Sequence, residues 1–247
     1  MVVSSNTLFQ FTGSIDTIVK ILKSGGFWPR YCIEYGWRER LTYDFAVPQC
    51  CFCDIPLSNI AQHTKKYGNY AIGIKKTWAI KQGVTPILYV HENSGFIEQG
   101  RDALNWSLEL NEKEGTHSTE RLAQVMSMFF MMKPYESKQI INGKKQIVRF
   151  YDEREWRYIP PIGGSVLNFL TDAEYQEKEK RDKLNSYNEK YGVTFNPDAI
   201  NYIIVEKEDE IVPLMHELYT IKGDFPHKSV ELLMSRIISM DRIREDF

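Results

Sequence analysis

Apolar positions recur along the chain in two rhythms, and the alternation between them marks out the elements. Residues 8–12 alternate as a short strand, and Gly13-Ser14 breaks it. Ile15, Ile18, Val19 and Leu22 then fall at helical spacing, predicting a helix over 15–23. Ser14 is placed to cap it, Asp16 lies in its first turn, and Gly25-Gly26 stops it. Residues 46–55 read as a strand ended by Pro56, with Ser58 capping a helix to about residue 67. Further strands are expected over 70–74, where Gly73 allows close approach or a bulge, and over 86–90, with a helical turn at 77–82 between them. Residues 96–133 are mostly helical, broken near 112–117 and ended by Pro134. Asn142-Gly143 between apolar pairs signals a hairpin. The run 171–192 is a charged helix laced with i, i+4 pairs. A strand over 199–205, helices over 209–219 and from 229, a closing strand at 236–239 and a helical tail at 240–247 complete the chain. The pattern predicts an α+β fold in one unit spanning 1–247. Its mixed and antiparallel strands are split by helices, with helical insertions at about 96–134 and 171–192.

One stretch resists this simple reading. Residues 150–158, Phe-Tyr-Asp-Glu-Arg-Glu-Trp-Arg-Tyr, have the aromatic content of a strand but a charged middle. At period two, Glu153, Glu155 and Arg157 share one face, and Trp156 and Tyr158 share the other. Acids inside a buriable strand must be paired, solvated or functional. A helix competes, because Glu153 and Arg157 would pair at i, i+4, but the aromatics and the Pro160-Pro161 stop favour the strand.

Composition narrows the function classes. The 247 residues, 43% hydrophobic, suffice for a packed core. With 31 basic against 33 acidic residues there is no global pull toward nucleic acid or an anionic membrane, although a local basic patch is compatible with nucleic acid. No apolar run reaches the roughly 18–20 residues of a membrane span, and the first residues lack a signal peptide's basic and apolar regions. A soluble, cytoplasmic protein is expected.

Candidate chemistry is sparse. Cys32, Cys50, Cys51 and Cys53 are read as reduced core thiols. Zinc would need a second cysteine pair beyond Cys51-x-Cys53, so no metal is expected. The chain has no glycine-rich dinucleotide loop, Walker loop, nucleophile elbow or His-Glu-x-x-His helix. A nuclease could draw on Asp44, Asp54, Asp152 and Glu155, but no spacing demands a metal there.

Larger blocks carry a resemblance. The segments 9–13, 18–22, 29–32, 47–48, 51–58, 66–68, 70–73, 86–90, 152–158 and 235–238, with His63, follow the pattern of the AbiGi-type abortive-infection proteins of bacteria. That resemblance implies phage resistance, and one member type is described as the antitoxin half of a two-gene system. More distantly, the strand-Thr-Gly-helix opening and the late acidic-aromatic strand are similar to ADP-ribosyltransferase folds, including the DNA-modifying DarT type. The second resemblance implies an ADP-ribosyltransferase-like fold using NAD as substrate. Glu155 would be the catalytic carboxylate, with Glu153 at Glu-x-Glu spacing, and would stabilise the oxocarbenium charge that forms when nicotinamide leaves. Gln10, Thr12, Gly13 and Arg30 would hold the cofactor, with Tyr70 and Tyr89 as supporting tyrosines.

Gln10 stands where members of the transferase fold usually carry His or Arg. Two readings therefore stay open. One is an NAD-dependent transferase or NAD glycohydrolase acting on nucleic acid or protein in phage defence. The other is a non-catalytic antitoxin or sensor that binds a cognate toxin, another defence protein or nucleic acid. Its aromatic and basic segment would be Trp28, Arg30, Tyr35, Trp37 and Arg38.

Overall fold

A computed structural model describes residues 4–34, 44–114, 116–141, 144–160, 169–221 and 225–246. The strands in chain order begin with β1 (Thr7–Thr12), β2 (Gly26–Phe27), β3 (Arg30–Glu34), β4 (Phe45–Cys53) and β5 (Tyr70–Lys75). Next come β6 (Thr85–Pro86), β7 (Leu88–Val90), β8 (Met132–Pro134), β9 (Glu136–Ile141) and β10 (Lys144–Arg149). The last five are β11 (Glu155–Tyr158), β12 (Leu170–Thr171), β13 (Val193–Thr194), β14 (Ile200–Val205) and β15 (Ile237–Ser239). Helices lie between them, so the architecture is mixed α+β.

Among the described residues, nine strands join one sheet in the order β15-β14-β5-β1-β4-β11-β6, with β3 and β12 added to β4. All its pairings are antiparallel except β14 with β15. The nine-residue β4 is the spine. Its first half pairs β3 and β12, and its second half pairs β11, with Phe9 of β1 opposite Cys53.

Period-two alternation explains the layers. Leu8, Ile72, Ile74, Ile203 and Val205 enter one core, beneath helices Ile15–Ser24, Ile211–Thr220 and His227–Met234. Phe9, Ala71 and Ile204 face the opposite way, onto Ile60 and onto Met240 and Ile243 of the last helix. Burial of each such side chain contributes about 1.5–3 kcal/mol. A third cluster joins Phe45 and Val47 of β4 to Ile97, Leu104, Met126, Phe129, Phe130 and Met132, seating helices Gly95–Glu114 and Thr116–Phe130 on the spine.

Local signals act where expected at the start. Ser14 caps the first helix by accepting from the Thr17 amide, and Gly25 ends it in the left-handed conformation. Gly73 lies opposite Phe9, where a Cβ would come within 2.7 Å of that ring. Thr171 and Glu174 close a capping box ahead of helices Asp172–Gln176 and Lys178–Asn188.

Several expectations are corrected. Ser58 lies inside a 3-10 turn, Leu57–Asn59, and the helix Ile60–Tyr67 has no side-chain cap. The strand expected over 86–90 divides: β6 pairs β11, whereas β7 pairs β8 in parallel. The helical run stops at Phe130, and Met132–Pro134 is a strand. The β9–β10 hairpin forms its own two-stranded sheet and does not flank β11. The charged stretch is not one strand: Phe150–Glu153 is a 3-10 turn, Arg154 is left-handed, and only Glu155–Tyr158 is extended. Tyr35, Trp37 and Arg38, the hairpin's Asn142-Gly143 and Pro161 lie outside the described residues.

Candidate functional site

Glu155 and Arg157 are two apart on β11, so both point to the same face, and both are buried. Arg157 is 0% exposed. A guanidinium there must be fully hydrogen-bonded. Its Nε and one Nη donate to the two Glu155 oxygens, the latter at 3.2 Å. Arg157 Nη2 also reaches Glu34 Oε1 at 2.8 Å, and Nη1 donates to the Phe130 carbonyl at 2.7 Å. Gln49 Nε2 donates to Glu34 Oε1 at 2.8 Å.

The second cation is Lys133. Its Nζ lies 2.7 Å from Glu153 Oε2 and 2.9 Å from Glu155 Oε2. It arrives on β8 because the chain turns from helix into strand after Phe130. The Tyr89 hydroxyl, from the neighbouring β7, accepts the Glu155 backbone N–H at 2.8 Å. Five elements therefore converge on one buried ionic cluster: β3, β4, β8, the turn at 150–153, and β11.

Titration follows from these contacts. Burial pushes the Glu155 carboxyl up, but Arg157 and Lys133 outweigh it and hold it at about 2. Burial pulls Lys133 down, and Glu155, Glu34 and Glu153 more than reverse that, so its ammonium is held charged well above the usual range. Burial raises Tyr67, and so does its hydrogen bond with Glu153. Glu155 and Lys133 are thus both held in their charged forms. Both Glu155 oxygens are occupied and the residue is 5% exposed, so this carboxylate is a poor receptor for an incoming ribose.

The other residues expected at a site are dispersed. Gln10, Thr12 and Arg30 line a surface cleft of about 430 Å³ together with Trp28, Lys20 and Thr17, and Glu155 and Glu153 are not among its walls. Gly13 follows directly, with open space beyond it. Tyr70 lies on β5, and its hydroxyl donates to Glu210 at 2.7 Å and to Glu206 at 3.4 Å. Tyr89 is at the ionic cluster. Glu153 lines a different cleft, of about 480 Å³, with His63, Tyr67, Arg149, Tyr151 and Arg154. The two clefts share no wall residue.

Sequence reasoning grouped Glu153, Glu155 and Arg157 but missed Lys133, Glu34 and Gln49. Lys133 was hidden in an apolar helical run. The usable signal was Pro134, which ends a helix and so frees the preceding residues to extend.

The family model described as "Putative abortive phage resistance protein AbiGi, antitoxin" matches residues 26–206. The chain belongs to the AbiGi family. Every member of the ionic cluster falls inside that span, whereas Gln10, Thr12 and Gly13 fall outside it. The abortive phage resistance protein AbiGi of Lactococcus lactis subsp. cremoris is 29% identical over 227 residues, covering 83% of this chain and 90% of that protein. No solved structure matches the chain. No described helix is long and apolar enough to cross a membrane.

Proposed function

We propose that this AbiGi-family chain acts in abortive phage resistance as a non-catalytic antitoxin that neutralises a cognate toxin by binding it. The observation that carries the reading is the state of Glu155. A catalytic glutamate must present a free oxygen to substrate. Here both oxygens are taken by Arg157 and Lys133 in a buried site, the arrangement of a structural ion cluster. The description of the family as an antitoxin supports the same reading. So do single large apolar side chains left in solvent on the helical pair seated on β4, where Phe96, Trp106 and Met128 are 50%, 58% and 59% exposed. An exposed tryptophan is suited to anchor a protein partner.

The competing reading is an NAD-dependent transferase or glycohydrolase on an ADP-ribosyltransferase-like fold. It rests on the cleft of Gln10, Thr12 and Arg30, and it needs a carboxylate that this cleft does not contain. Two measurements separate them. The tagged chain is co-expressed with its cognate toxin and purified, and nicotinamide release from NAD is followed with and without DNA, tRNA or lysate. Binding predicts a stable complex and no release above buffer. Release that disappears in a folded Glu155→Gln variant establishes the enzyme instead.

A further inference from the structure

The 480 Å³ cleft is not used by the ionic cluster behind it, and its walls have their own chemistry. One wall is the helix Ile60–Tyr67, which contributes His63 and Tyr67. Another part of the lining is the end of β10 and the turn after it, which contribute Arg149, Tyr151 and Arg154. The volume lies in the range of small-molecule sites, roughly 300–1,000 Å³.

Arg154 is the feature that asks for a ligand. Its backbone is left-handed, φ 46° and ψ 49°, the only such non-glycine residue among the described ones. That conformation costs an L-residue roughly 1–2 kcal/mol, and glycine avoids the cost. The residue closes the 3-10 turn, its N–H donating to the Tyr151 carbonyl and its carbonyl accepting from the Asp54 amide, and its side chain lines the cleft. Its Nε is buried with no acceptor among the described residues. The nearest carboxylate, Asp54, is 3.8 Å from Nη2, beyond hydrogen-bond distance. Asp54 is already satisfied by Lys76, Ser4 and the Ser5 amide. That Nε is closed to solvent, so what the arginine offers a ligand is the rest of its guanidinium, in a side chain one-third exposed at the cleft and paired with Asp54 only at long range, 3.8 Å.

The rest of the cleft fits a planar group. His63 lies between Tyr67 and Phe11, with ring centroids 5.9 and 6.1 Å away, so the ring left for a ligand is Tyr151, half exposed at the cleft edge. Arg149 supplies a second guanidinium. The acids present are Asp152 and Glu153, and Glu153 is already paired with Lys133.

We propose that this cleft is a nucleotide site. Arg154 and Arg149 receive the phosphate, and a base stacks against the exposed Tyr151 ring. The ligand is a nucleoside monophosphate unit, either free or as part of a single strand. The site is independent of the antitoxin reading, since it needs neither the toxin nor Glu155.

The test is calorimetric titration of the full-length chain with the four nucleoside 5′-monophosphates, adenosine, inorganic phosphate and a single-stranded tetranucleotide. At least one monophosphate or the tetranucleotide should bind, with adenosine and inorganic phosphate each at least tenfold weaker. Comparable affinity for a monophosphate and the tetranucleotide identifies the free nucleotide as ligand. A tenfold preference for the tetranucleotide identifies a strand. In either case Arg154→Gln should weaken binding at least tenfold. Arg154→Gly gives the control for folding: it should melt higher than the wild type, because the strain is relieved, and yet fail to bind. The proposal is overturned if no monophosphate and no strand binds. It is equally overturned if both Arg154 variants bind as the wild type does.

Discussion

Arg157 carries its charge where water does not reach, and that fixes what its neighbours must do. Glu155 and Glu34 supply the counter-charge, and the Phe130 carbonyl takes a further donor. Removing the cation leaves two buried acids. Arg157→Met is therefore expected to destabilise the chain by about 3–5 kcal/mol in chemical denaturation. Adding Glu155→Leu and Glu34→Leu to that variant should recover much of the loss, because an apolar trio removes the unpaired charges as well. No recovery would show that the cluster has a role beyond charge balance. The pH dependence follows from the same contacts. Glu155 is held at about 2 in the folded chain against an ordinary 4.5. A depressed carboxyl stabilises the fold above its unfolded value and loses that contribution as pH falls. The melting temperature should thus drop between pH 4.5 and 2, and less steeply in Glu155→Gln. An equal slope in the variant would assign the acid sensitivity to other carboxyls. At this scale the sequence was partly legible. Glu155 and Arg157 are i, i+2, so period two alone groups them. Lys133 and Glu34 come from distant segments, and only tertiary structure brings them together.

At the scale of elements, β1 and β5 illustrate how a sequence signal becomes a packing constraint. Gly73 is read as a point of close approach, and in the sheet the Phe9 ring and the Thr7 methyl occupy the space a Cβ would need, at 2.7 and 2.8 Å. Gly73→Ala should cost about 1–3 kcal/mol through overpacking, measured by denaturation. A neutral result would mean that Phe9 has room to move. The first helix was legible because cap, apolar stripe and stop agree over ten residues. The charged stretch was not, since a single left-handed residue, Arg154, splits an apparently continuous strand and nothing local marks it. The same limit applies to β8. Three residues at the end of an apolar helix become a strand only because β7 offers a parallel edge.

For the whole molecule, the question is whether the chain acts by turnover or by occupancy. The residues that would have formed an NAD site are divided between a surface cleft and the ionic cluster, and Tyr70, although opposite Thr12 on the neighbouring β5, gives its hydroxyl to Glu206 and Glu210. The helical pair meanwhile turns Phe96 and Trp106 outward. If the exposed Trp106 contacts the toxin, Trp106→Glu should weaken the complex at least tenfold without lowering the melting temperature, read by titration and thermal melts of the same preparation. Unchanged affinity would place the interface elsewhere. Family membership and the mixed α+β architecture were legible from sequence. The dispersal of the NAD residues was not, because a motif read along the chain carries no information about which way each side chain turns. The most direct test is stoichiometric. Purified toxin at fixed concentration is titrated with the chain and its residual activity measured. Binding predicts linear loss that ends near one chain per toxin, with no dependence on NAD. Complete inactivation at a small fraction of an equivalent, requiring NAD and abolished in Glu155→Gln, would contradict it.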